Sequence, residues 1–265
     1  MITSLQNEKI KRVARLRTAR GRKAAALTIV EGCREVQRAI AAGVSVEEVF
    51  FCKDLLAQHG TDDPLGDHGG WSSFVSYEVN PKVYRKISYG GRQAGLLAVC
   101  RPRLYRFEDV PHRKASVWVV LEGIEKPGNI GAILRSCDGA RASGVILCGG
   151  CSDVYNPNVI RASMATVFSV PVVVSTNQEA LDCLRQRNVT IYGAFPDAHA
   201  IYSRVTYEPS AAVVLGNEHT GLSEFWSRHT DHKIRIPMKG LADSLNVSAS
   251  ASILIYEILT SSSRP

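Results

Sequence analysis

Hydrophobic positions along this chain follow two rhythms in turn. Val117 to Leu121 (VWVVL) make a short apolar run rich in β-branched residues, and Ile130, Ile133 and Leu134 then recur at helical spacing. A strand therefore passes through the stretch EGIEKPGN into a helix beginning at about Asn129. The alternation continues with GVILC, a helix near Asn158 to Met164, VPVVV, a helix near Asn177 to Arg187, TIYGAF and AAVVLG. A short helix near Leu222 to Arg228, the strand KIRIP and a long final helix from about Ser244 complete the series. This pattern predicts an α/β domain over residues 116–265 with a mostly parallel sheet covered on both faces.

The first half also reads as α/β, on a smaller scale. EGCREVQRAIAAG has helical periodicity and stops at Gly43, VEEVFFC is strand-like, and HGTDDPLGDHGG is a loop by composition. SSFVSYEV reads as a strand, NPKVYRKI as a short helix opened by Asn80 and Pro81, and GLLAVC as another strand. These elements place a small domain over residues 1–101. The segment RPRLYRFEDVPHRKAS mixes proline with charge and keeps no period, so residues 102–115 are read as the linker.

Composition sets the outer bounds. With 265 residues, 45% of them hydrophobic, the chain can bury a substantial core. It holds no apolar run long enough to span a bilayer, and MITSLQNEKIKRVARLR lacks the apolar stretch of a signal peptide. The expected address is the cytoplasm, with no membrane partner. Seven scattered cysteines fit free thiols in a reducing compartment. Cys148 and Cys151 form a CxxC, but no second pair or clustered histidine completes a site, so no metal is expected.

Charge changes the picture more. The net charge is +7, and the first twenty-three residues carry eight cations against the single Glu8. Ile10, Val13 and Leu16 form a narrow apolar strip there, which suggests a helix docked by one side. Lys9, Lys11, Arg12, Arg15 and Arg17 on its other faces would attract a polyanion, RNA before DNA. A basic terminus kept charged for solubility explains the same residues equally well.

The strand-to-helix junctions narrow the chemistry. The first reads GIEKPGNIGA, which lacks the glycine spacing of a dinucleotide fold. A phosphate loop of the GxxxxGK[ST] type and a GxSxG elbow are also missing. Three junctions carry polar sets instead: Asn129 with Arg135, LGNEHTGLSE from Leu215, and IPMKGLADSLNVSASAS from Ile236. Polar residues and glycines gathered after several strands of one sheet favour a shared pocket.

NIGAILRSCDGA, VVLGNEHTGLS and IPMKGLADSLNVSASASILIYE, in this order, resemble the three motifs of the SpoU/TrmH branch of the SPOUT RNA methyltransferases. NPNVIRASMATVFSVPV is similar to the family's connecting segment. ITSLQNEKIKRVARLR, VEGCREVQRAI and GGRQAGLLAV look like the small L30e-type RNA-binding domain that many members carry in front. The resemblance implies a trefoil-knotted α/β domain that binds S-adenosylmethionine and pairs into a homodimer. It further implies methyl transfer to a ribose 2′-hydroxyl of RNA, most often 23S rRNA for this layout.

Carried over by motif, Asn129, Arg135, Glu218, Ser244 and Asn246 become the catalytic candidates. Leu215, Gly216, Ile236, Met238, Leu245 and Asn246 become the cofactor-binding candidates, and Arg161 joins the RNA contacts. Taken singly, Asn129 reads more simply as a helix N-cap. A tRNA 2′-O-methyltransferase and a non-catalytic RNA-binding or ribosome-assembly protein stay open as alternatives.

Overall fold

A computed structural model of the chain describes residues 1–60, 65, 73–151 and 153–261. Most of the loop expected over HGTDDPLGDHGG lies outside the described residues. The chain divides into two compact units, Met1–Arg103 with Tyr155–Ser169, and Leu104–Val154 with Val170–Pro265.

In the first unit the basic segment forms α1 (Glu8–Arg15) and α2 (Ala19–Ala25). Asn7 and Thr18 cap them, each accepting a backbone N–H with its side chain. The rest runs β1 (Thr28–Glu31), α3 (Cys33–Ala41), β2 (Ser45–Phe51), α4 (Lys53–Gln58), β3 (Ser76–Glu78), α5 (Pro81–Ile87) and β4 (Leu96–Arg101). The sheet order is β1-β4-β2-β3, and only β2 and β3 pair in parallel. The apolar strip of α1 behaves as expected: Ile10, Val13 and Leu16 are buried with Phe50, Val83, Tyr84, Ile87 and Leu97. As expected, Asn80 and Pro81 open α5, the Asn80 Oδ1 accepting from Val83 N at 2.8 Å.

In the second unit come β5 (Ser116–Glu122), α6 (Pro127–Gly139), β6 (Gly144–Cys148), β7 (Val172–Val174), α8 (Asn177–Gln186) and β8 (Thr190–Ala194). They are followed by β9 (Ala200–Ile201), β10 (Ser210–Leu215), α9 (Glu224–His229), β11 (His232–Arg235) and α10 (Val247–Ser261). Its seven strands are ordered β7-β6-β5-β10-β8-β11-β9, and every recorded pairing is parallel. The mostly parallel sheet read from the apolar runs is therefore present.

Several helix boundaries move by one to three residues, α9 for instance beginning at Glu224 and not Leu222. α6 starts at Pro127, not Asn129, because proline suits the first helical position, where its missing N–H costs nothing. α10 starts at Val247, after Asn246 takes two Ser248 donors. The remaining helix of the second half, α7 (Pro157–Ala162 by chain position), packs with β1 and so belongs to the first unit. Cys148 and Cys151 are free thiols, and Cys151 Sγ donates toward the carbonyls of Leu121 and Cys148. Among the described residues no helix is long and apolar enough to cross a membrane.

Candidate functional site

The chain leaves β5 toward β6 and β7, then crosses to the other side of β5 for β8 to β11. In open parallel sheets a ligand crevice forms at the strand C-termini where the order reverses in this way. Here Phe195 to Asp197, the Leu215–Leu222 loop, Ile236, Met238 and Asp243 to Leu245 line a cavity of about 480 Å³. That volume suits a small organic ligand. Leu215, Ile236, Met238 and Leu245 supply apolar wall, and Asp197, Glu218 and Asp243 supply carboxylates.

Gly216 is required by the loop itself. A Cβ there would stand 2.2 Å from the carbonyl carbon of Gly221, so the loop closes on itself only with glycine at this position. Asn217 holds the turn: its Oδ1 accepts from His219 N at 2.8 Å, its backbone oxygen accepts from Gly221 N, and its Nδ2 donates to Gly123 O at 2.8 Å.

The three polar junctions meet in one hydrogen-bonded chain. Asn246 Nδ2 donates to Asn129 Oδ1 at 3.2 Å, and Asn129 Nδ2 donates to Glu218 Oε1. Asn246 also caps α10, its Oδ1 accepting from Ser248 N at 2.9 Å. Asn129 is the third residue of α6, where Lys126 holds the N-cap position, so the simple capping reading of Asn129 fails. Its amide joins α6 to the β10 and β11 loops instead.

The other candidates divide by position. Leu215, Gly216, Glu218, Ile236, Met238, Ser244 and Leu245 line the cavity; Asn129, Arg135 and Asn246 do not. Ser244 is exposed, and Asn246, not Ser244, caps α10. Arg135 is exposed and makes no hydrogen bond or ion pair among the described residues. In the first unit, Arg12 pairs with Glu48, Lys9 Nζ lies 3.6 Å from Glu48 Oε1, and Lys11 Nζ lies 3.0 Å from Glu8 Oε1. Arg17 donates to Lys86 O at 3.1 Å, whereas Arg15 and Arg161 are exposed. Sequence reasoning passed over Glu122, Asn177, Asn217 and Ser223, whose contacts bind the loops together. Asn217 and Ser223 both lie inside the second motif and so carried a signal, whereas Glu122 and Asn177 lie outside the three motifs.

Residues 116–256 match the family model described as the SpoU rRNA Methylase family. The chain belongs to that family. As a member it is an RNA methyltransferase whose cofactor is S-adenosylmethionine, as the three motifs implied. Residues 7–98 match the model of an MRM3-like substrate binding domain. Among curated proteins the chain is 26% identical over 260 residues to the 23S rRNA (guanosine(2553)-2′-O)-methyltransferase RlmP of Bacillus subtilis, covering 97% of this chain and 98% of RlmP. It superposes on a crystal structure of an RNA 2′-O ribose methyltransferase with a TM-score of 0.84 and 36% identity, covering 98% of each chain. It also superposes on the S-adenosylmethionine-bound rRNA methyltransferase of Sinorhizobium meliloti, with a TM-score of 0.83, 25% identity and coverage of 97% of this chain and 96% of that one.

Proposed function

We propose that this RNA 2′-O-methyltransferase acts on a ribose of 23S ribosomal RNA. The observation that carries the reading is the Asn246–Asn129–Glu218 chain beside the cavity, with the unpaired Arg135 on the helix that holds Asn129. The likeness to RlmP runs through both halves of the chain and supports 23S RNA over tRNA.

The residues present fit the cofactor. The aliphatic wall of Leu215, Ile236, Met238 and Leu245 suits an adenine ring, and the nearby carboxylates suit a cationic ligand. When bound, S-adenosylmethionine supplies a methyl group on a sulfonium, a leaving group that needs no acid. The protein is left to orient the ribose hydroxyl and to stabilise charge developing on its oxygen. Arg135 serves both needs: a guanidinium stays protonated, so it holds the RNA phosphate and the forming oxyanion and does not act as a base. The hydroxyl proton passes to a phosphate oxygen or to water.

Glu218 and Asn246 fix the Asn129 amide from both ends, leaving its second N–H for the ribose. The exposed cations Arg15 and Arg161 contact RNA phosphate, with Lys9, Lys11, Arg12 and Arg17 as weaker contributors because protein acceptors already engage them. The C-terminal segment is threaded as the family's knot. The return of α10 onto α6, β5 and β10 after the more distant β11 supports that path. Two copies pair through this unit, in keeping with the exposed Leu241, Leu245 and Tyr256.

The test is transfer of a labelled methyl group to separated rRNA and tRNA, digested to nucleosides. A 2′-O-methylated nucleoside from 23S RNA is expected. Label confined to tRNA would replace the substrate, and S-adenosylmethionine binding without transfer to any RNA would point to a particle as substrate.

A further inference from the structure

Glu122 ends β5 and is buried, yet no motif of the methyl-transfer reading uses it. Its carboxylate accepts three hydrogen bonds: Asn177 Nδ2 at 2.6 Å and Ser223 Oγ at 2.7 Å on Oε1, and Ser223 N at 2.8 Å on Oε2. Asn177 opens α8, and its Oδ1 accepts from Trp226 Nε1 at 3.3 Å. Room for the carboxyl comes from Gly149, where a Cβ would stand 2.9 Å from Glu122 Cγ.

Ser223 shows what this arrangement serves. It stands at the N-cap of α9, where a serine oxygen ordinarily accepts a helix N–H, but it makes no such cap and donates its hydroxyl to Glu122. The loop from Gly216 to Leu222 is thereby tied to the end of β5 twice, by Asn217 to Gly123 O at one end and by Ser223 to Glu122 at the other. Glu218 lies between the two ties and reaches Asn129.

We infer that Glu122 is a positioning residue for methyl transfer: its carboxylate holds the Gly216–Leu222 loop so that this loop walls the cofactor cavity and carries Glu218 to Asn129. The inference rests on the proposed reading of Glu218 and Asn129. Only a carboxylate serves, because all three partners are donors. A glutamine keeps only one acceptor oxygen, so its NH2 would meet either the Ser223 N–H or the Asn177 Nδ2, donor against donor.

The test uses the full chain with Glu122→Gln, Ser223→Ala and the hydroxyl-retaining Ser223→Thr. Three measurements are made below the melting temperature of each: amide hydrogen exchange over residues 216–223, the Kd for S-adenosylmethionine, and kcat against KM for RNA. Glu122→Gln is expected to speed exchange in this loop, to weaken cofactor binding and to lower kcat by roughly 10- to 100-fold, the range for losing a hydrogen bond to a charged group. KM for RNA should stay unchanged. Ser223→Ala should show a smaller version and Ser223→Thr should recover it, which keeps the test alive if Glu122→Gln does not fold. Wild-type exchange, Kd and kcat in Ser223→Ala, or a lowered melting temperature as the sole change in Glu122→Gln, would overturn the inference. The exchange and cofactor measurements need no RNA, so they still decide if the proposed substrate is wrong.

Discussion

Asn129 has both ends of its amide committed, one to Asn246 and one to Glu218, whereas Arg135 is engaged by nothing described. The two should respond differently to removal. Arg135→Ala should lower kcat by roughly 100-fold or more, the cost of deleting one preorganised donor to a developing oxyanion. Its Kd for S-adenosylmethionine, read by calorimetry, should not move, and a weakened Kd would place Arg135 at the cofactor instead. Glu31 offers a pH prediction away from the chemistry. Burial raises its carboxyl to about 7, against the lowering effect of the Tyr89 N–H and of Arg92, Arg17 and Arg161. A carboxyl that binds its proton more tightly when folded costs stability as pH rises from the ordinary carboxylate range to about 7, with no further loss above that. Glu31→Gln should therefore melt several degrees above the wild type at pH 8, with the gap closing toward pH 4.5. The sequence marked Asn129, Glu218 and Asn246 because they sit in spaced motifs. Glu122 lies outside those motifs and Ser223 closes the second, yet neither stood out, because their pairing spans 101 positions and sits on residue types common at strand ends and helix starts.

Among the elements, α1 is both a charged surface and a part of the core. Its buried Ile10, Val13 and Leu16 were legible from spacing, and they decide how the basic segment must be tested. Removing residues 1–23 would strip that strip from the first unit, and Ile10→Ala alone should cost about 2–5 kcal/mol in urea unfolding. Neutralising the exposed Arg15, Arg20 and Lys23 to glutamine leaves the core intact. Those three changes should flatten the slope of log K for RNA against log salt by about 2, at roughly 0.7 per lost phosphate contact. An unchanged slope would return the arm to a solubility role. The elements read least well were those without a period of their own. β9 is two residues long, and β3 keeps three of the seven described positions of the stretch read as a strand, because edge strands depend on a neighbour more than on their own residues.

At the scale of the whole molecule, apolar runs disclosed the parallel strands but not their order, which places β10 between β5 and β8. Order depends on which faces meet after long excursions of the chain, and hydrophobic period is blind to that. The proposed pairing of two copies through the second unit predicts a sedimentation mass of twice 28.9 kDa, and Tyr256→Arg should shift it toward a single chain. The same unit sets an order of events during synthesis. Asn246 and α10 follow every other described element, yet Asn246 holds Asn129 and α10 covers α6, β5 and β10. A chain still being translated therefore has its first two motifs but lacks the end of the third, which aligns them. Methylating competence would then switch on only when translation has passed this helix, and a chain truncated before it would be inert toward any RNA it meets.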